Sequence, residues 1–247
     1  MSANKRRVYL LDVEGTVAPL SLVKEHLFPY ARAHFAQFLK QGAGNAAVRG
    51  DLELLAEENK AEVGAGVPRL PPVSHPEQVE TLRFQLDAHV YLVWLMDRDR
   101  KSTALKSLQG KIWKGGYESG KLKGTIFADV PAAFERWSKH GKVAIYSSGS
   151  IEAQQLIFRY STYGDLTALI SGYFDTRTGP KSEKTSYAAI CAKLDADPAE
   201  VLFFSDVIRE LDAAREAGCQ TRLVVREGNA PVADAHGHER VESLEGI

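Results

Sequence analysis

Apolar residues along this chain follow two different periods. Near the start, Val8-Tyr9-Leu10-Leu11 is a short unbroken apolar run that ends in Asp12, with Glu14 one residue further and Gly15 next. A run of that length bounded by turn residues predicts a strand buried on both faces. From about residue 20 to about residue 125 the period becomes helical. Ser21 predicts an N-cap, and Leu22, Val23, Leu27 and Phe28 recur at helical spacing. Pro29 interrupts the run, and Ala31, Phe35, Phe38 and Leu39 carry it on to Gly42. Further helices are predicted over 51–59, over 77–99 with Val79, Leu82, Leu86, Val93 and Met96 on one face, and over 101–113, ended by Gly115-Gly116. Between them, 64–76 holds four prolines and two glycines and predicts a loop.

After this segment strands and helices alternate. Strands are predicted at 143–146, 172–174, 201–204 and 221–225, the last closing the series. Helices are predicted over 130–140, 150–159, 182–194 and 210–218. Alternation of this kind predicts parallel βαβ units, and the opening strand belongs with them. The expected organisation is an α/β core of 1–19 and 126–247, interrupted between its first and second strands by a helical module of 20–125.

Composition narrows the function classes. The 247 residues are 44% hydrophobic and 26% charged, an ordinary soluble balance. Lys+Arg 31 against Asp+Glu 32 gives a net charge of −1, so no global field points to nucleic acid or an anionic membrane. No stretch has the apolar length of a membrane span, and the basic Asn4-Lys5-Arg6-Arg7 precedes an apolar run too short for a signal-peptide core. Cys191 and Cys219 are too few for a disulfide framework and lack metal-site spacing, which fits a reducing cytosol. Without heptads or a large apolar surface helix, a monomer is expected.

The chemistry gathers at strand ends. Alternation along the first strand sends Asp12 and Glu14 the same way, at the end where open α/β sheets bind ligands. Two carboxylates aimed at one point repel unless a cation or a proton lies between them. Ser147-Ser148-Gly149-Ser150 follows the second long strand, and hydroxyls with free amides ahead of a helix form an anion site. Lys181 lies in a loop ahead of a helix; taken alone it is a surface lysine, as the serine loop alone is an N-cap. Ser205-Asp206 ends the strand that begins at Val201, and Glu210 follows at a spacing that suits a second acid reaching the same place.

Asp12-Val13-Glu14-Gly15-Thr16, Ser147-Ser148, Lys181, and Asp206 with Glu210, in this order on strand ends, resemble the four motifs of the haloacid-dehalogenase-like phosphatase superfamily. The resemblance implies a Rossmann-like parallel sheet with the helical module as an inserted cap. It further implies that Asp12 is the nucleophile, forming an aspartyl phosphate. One Mg²⁺ would be held by Asp12, the Glu14 carbonyl and Asp206, with Ser147, Ser148 and Lys181 on the phosphate oxygens and Glu210 in support.

Most members carry Asp where this chain has Glu14. Asp-x-Glu-Gly-Thr is similar to the bifunctional enolase-phosphatases of methionine salvage. Leu27-Phe28-Pro29-Tyr30-Ala31-Arg32, Ile112-Trp113, Gly116-Tyr117, Asp129-Val130-Pro131 and 146–154 continue the likeness. Val17 and Ala128 depart from it, where threonine and proline are usual. The family implies enolisation of 2,3-diketo-5-methylthiopentyl-1-phosphate, followed by release of phosphate. Glu14 would handle a proton, and Glu25 and His26 are candidates for the enolising base, although each reads more simply as a surface or packing residue. The alternatives are a phosphatase of the same fold acting on another small phosphate ester, and a non-catalytic binding module that kept the fold. His236 and His238 are read as part of a mobile polar tail, and Trp94, Trp113, Trp137 and Tyr91 as packing residues.

Overall fold

The computed structural model describes residues 7–232 and 237–247. The chain divides into two compact units, one reaching Lys24 and resuming at Leu122, the other spanning Glu25–Lys121. The second unit is helical. A π-helical turn, Leu22–Leu27, crosses into it and runs straight into α1, Phe28–Gly42. Pro29 does not interrupt a helix here. It is the second residue of α1 and directly follows the π-helical turn, so its missing N–H falls where the hydrogen bonding is already irregular. Asn45 caps α2, Ala46–Ala61, accepting from Ala47 N at 2.9 Å.

Thr81 caps α3, Leu82–Asp97, and so separates it from a 3₁₀ turn, Pro76–Glu80, that carries Val79. The buried face of α3 is Phe84, Ala88, Tyr91, Leu92 and Leu95, not the face predicted through Leu82 and Leu86. The cap resets the phase, and α3 is apolar on more than one side. Leu82, Leu86 and Val90 are left exposed at 65%, 54% and 54%. The exposed side of α3 therefore carries three apolar side chains interspersed with polar ones. Capped by Ser102, α4 runs over Thr103–Glu118, through Gly115 and Gly116 instead of stopping at them. Gly116 is buried within the helical unit, and tertiary packing outweighs its poor helix propensity.

The other unit is a six-stranded parallel sheet: β1 Val8–Leu11, β2 Lys142–Tyr146, β3 Gly172–Phe174, β4 Val201–Ser205, β5 Gln220–Val224 and β6 Glu239–Val241. Its order is β3-β2-β1-β4-β5-β6, the doubly wound Rossmann arrangement. α5 (Val130–Ser138), α6 (Ile151–Arg159), α7 (Lys184–Lys193) and α8 (Ile208–Glu216) form the crossovers. All five residues of β4 are buried, as are Val8, Leu10 and Leu11 of β1, which fits strands covered on both faces. Cys191 and Cys219 are free thiols in this core, their sulfurs 3.9 Å apart.

The sheet does not end at β5. β6 pairs with it in parallel, and His238 just before β6 is buried, with Nδ1 2.7 Å from Thr221 Oγ1 and Nε2 3.1 Å from Asp212 Oδ1. The mobile-tail reading fails for His238 because these two contacts fix it; His236 lies outside the described residues.

Asp129 ties the chain's end to the sheet unit. Its carboxylate accepts from Arg226 Nη2 at 2.9 Å, Leu244 N at 2.7 Å and Ser243 Oγ at 3.1 Å. Burial works to raise its pKa, but these bonds and the guanidinium charge win and hold it below the usual carboxylate value. Asp129→Asn strips the buried Arg226 of its counter-charge and is expected to cost about 3 kcal/mol near neutral pH in denaturant unfolding. A group with a depressed folded pKa contributes its stability above its unfolded pKa and loses it as pH falls through the folded value. The gap between wild type and variant therefore closes below about pH 4.

Candidate active site

The carboxyl ends of β1 and β4 lie side by side at the point where the strand order reverses. The chain leaves β1 through Asp12, whose N–H still donates to Phe204 O at 3.0 Å, and then turns tightly. Gly15 N donates to Ala18 O at 2.8 Å, and Thr16, Val17 and Ala18 all donate to Val13 O. Gly15 has φ +73°, and a Cβ there would collide with Asp206. Glycine is thus required both for the backbone conformation and for the approach of the β4 loop.

Lys181 is the hub. Its ammonium lies 2.6 Å from Asp12 Oδ1 and 2.6 Å from Glu210 Oε2, with the lysine side chain only 9% exposed. Burial alone would depress the ammonium, but Asp12 and Glu210 more than offset this and raise it. Val13 N also donates to Asp12 Oδ1, at 2.8 Å, so both contacts fall on the same oxygen. Glu210 is held in turn by Ser205 Oγ at 3.0 Å. Its pKa is raised, by burial and then by the Asp12 charge.

The loop that presents Lys181 is fixed by hydroxyls. Tyr146 donates to Gly179 O at 2.8 Å, Ser186 to Pro180 O at 2.7 Å and Tyr187 to Lys181 O at 2.7 Å. Gly179, at φ +148°, leaves no room for a Cβ against Ser186. The two phenols come from β2 and α7 and pack edge to face. No sequence period marks Tyr146, Ser186 or Tyr187 as part of a site, because each looks like core until the loop is placed above it.

Of the two motif serines, Ser147 is buried, accepting from Gly149 N at 3.1 Å, and Ser148 is exposed. Ser150 caps α6. Glu25 and His26 are exposed on the π-helical turn.

Lys181 pairs with Asp12 and Glu210 only, and Glu14 and Asp206 add two more carboxyls nearby, so the described cluster carries excess negative charge even with the weaker pull of Lys24 on Glu14. Burial, then Asp12, raises Asp206 to about 7. Glu14 is raised by the same two causes in the same order. Among the described residues no three His, Cys, Asp or Glu side chains converge to hold a cation unaided. The oxygen set of Asp12, Asp206 and a main-chain carbonyl fits a hard divalent cation that keeps waters in its shell.

Residues 7–218 match the haloacid dehalogenase-like hydrolase family. The chain is 52% identical over 224 residues to the enolase-phosphatase E1 of Synechococcus elongatus, covering 90% of each chain. It is 42% identical to that of Pseudomonas fluorescens, over 98% of this chain and 96% of the relative. The chain belongs to the enolase-phosphatase E1 family of haloacid dehalogenase-like hydrolases. The UTR4 protein of Saccharomyces cerevisiae superposes with TM-score 0.78 at 36% identity, over 98% of this chain and all of that one. A dehalogenase at 18% identity and TM-score 0.53 shares the fold alone. This hydrolase is accordingly an enzyme, and its family implies a divalent metal.

Gly15→Ala tests the turn. The left-handed φ costs an L-residue about 1–2 kcal/mol, and the added methyl displaces Asp206. Thermal unfolding is expected to shift down by several degrees and turnover to fall at least about 100-fold, more than the stability loss explains.

Proposed function

We propose that this hydrolase is a Mg²⁺-dependent enolase-phosphatase of methionine salvage. It enolises 2,3-diketo-5-methylthiopentyl-1-phosphate and then removes the phosphate to give 1,2-dihydroxy-3-keto-5-methylthiopentene. The observation that carries this reading is the near full-length identity to relatives named enolase-phosphatase E1. The buried Asp12–Lys181–Glu210 cluster at the strand ends supports it.

Asp12 is the proposed nucleophile. With Oδ1 tied to Lys181 and Val13 N, Oδ2 is the oxygen that attacks phosphorus. The bond from phosphorus to the substrate oxygen breaks, and Glu14 gives that oxygen its proton. Water then attacks phosphorus in the aspartyl phosphate, Glu14 recovers a proton, and phosphate leaves with Asp12 restored. Lys181 has three donors, and with two spent on Asp12 and Glu210 the third is directed to a phosphoryl oxygen, alongside Ser147 and Ser148. Asp12, the Glu14 carbonyl and Asp206 would hold Mg²⁺, which when bound would supply positive charge for the phosphoryl group. In this reading the helical unit is the cap, and Glu25 and His26 are the first residues to substitute in a search for the enolising base.

The direct test follows enol absorbance and phosphate release together, with purified protein, Mg²⁺ and the diketo phosphate. Enol formation followed by phosphate is the expected course, and chelation of Mg²⁺ abolishes the second phase. Cleavage of other phosphate esters but not of this one would leave a phosphatase and remove the pathway assignment. Asp12→Asn is expected to lower phosphate release by at least about 10³-fold, the scale seen when a nucleophile is removed.

A further inference from the structure

Asn229 follows β5 in a short turn, its N–H donating to Arg226 O at 3.1 Å. Its Nδ2 donates to Gly15 O at 2.9 Å and to Val224 O at 3.3 Å. Two carbonyl acceptors on one nitrogen fix the direction of the amide, because the flipped form would press its oxygen against both. The oxygen is therefore the other atom, Oδ1. It is shut away from solvent and has no hydrogen-bond partner among the described residues.

Oδ1 lies beside Gly15. A Cβ on Gly15 would collide with Asp206 Oδ2 and would lie 3.0 Å from Asn229 Oδ1, so both oxygens crowd the same side of this glycine. With Asp206 ionised, as a cation's ligand must be, both are acceptors there. Leaving a buried acceptor unpaired costs about 1–3 kcal/mol, and what satisfies it is a donor. A cation-bound water is such a donor: its lone pair is committed to the cation and both hydrogens point outward. Outer partners of this kind typically set metal affinity.

We propose that Asn229 is a positioning residue for the metal end of the site: Nδ2 pins the Gly15 carbonyl, and Oδ1 accepts a hydrogen bond from a water bound to the divalent cation. This rests on Asp12 and Asp206 being the ligands of that cation. No motif marks Asn229 in the sequence. It lies more than two hundred residues from Gly15 along the chain, and only the fold brings the two together.

The test is calorimetric titration of Mg²⁺ alone into metal-free protein, with unfolding followed in chelator. Asn229→Leu is expected to weaken Mg²⁺ binding by about tenfold or more. Asn229→Ala is expected to weaken it less, since the space vacated admits a water. Asp206→Asn serves as the reference and is expected to lose binding. If Asp206→Asn binds Mg²⁺ like wild type, the ligand assignment itself falls. If it loses binding while both Asn229 variants keep wild-type affinity and only unfold more easily in chelator, Asn229 is a loop clamp and the inference is overturned. Should Asn229→Leu fail to fold, Asn229→Ala decides alone: a several-fold loss of affinity supports the role, and unchanged affinity refutes it.

Discussion

One buried ammonium shared between two carboxylates governs the design of this site. Lys181 is nearly out of reach of solvent, as are Asp12 and most of Glu210. A charge in that position persists only when it is paired and hydrogen-bonded. The pairing explains why the lysine loop is held so firmly, by Tyr146, Ser186 and Tyr187 from two different elements. It also explains why Glu210 has its own anchor in Ser205. Each support keeps a charge from drifting toward water, and each draws on a part of the fold that is rigid for other reasons.

Charge balance then organises what remains. With Lys181 committed to Asp12 and Glu210, neither Asp206 nor Glu14 has an ammonium in salt-bridge contact among the described residues, and both carboxyls are raised by burial and by Asp12 despite the more distant pull of Lys181 on each and of Lys24 on Glu14. The glycine turn after β1 brings Asp206 and Asn229 against the same side of Gly15. The parallel sheet makes this possible at little cost: β1 and β4 run together, so residues far apart in sequence emerge at one edge. A hydrolase that works by positioning and neutralising charge needs little more from its scaffold.

The sequence made the strand ends legible because polar residues that break an apolar run stand out, and their identities carry chemistry. Asp12, Lys181 and Glu210 meet in the structure, and β1 through β5 lie close to the runs that predict them. Other features were not legible, for physical reasons. Tyr187 packs like any core aromatic, and only its hydroxyl reaches Lys181 O. The face of α3 was misassigned because the Thr81 cap starts the helix at Leu82, five residues later than periodicity alone suggests, and because Leu82, Leu86 and Val90 are apolar yet exposed. β6 is three residues long, and its burial signal is a single histidine, so it looked like tail. Asn229 acts through the fold and not through a local pattern.

The most direct test of Asp12 as the nucleophile is chemical trapping. The enzyme is mixed with Mg²⁺ and substrate, quenched within a turnover and reduced with borohydride, and the peptide spanning residue 12 is then analysed by mass spectrometry. An acyl phosphate on Asp12 is reduced to homoserine, so the expected result is homoserine at position 12 only when substrate was present. An unmodified Asp12 in samples that have released phosphate, with a reduced carboxyl elsewhere or none at all, would contradict a covalent role for Asp12.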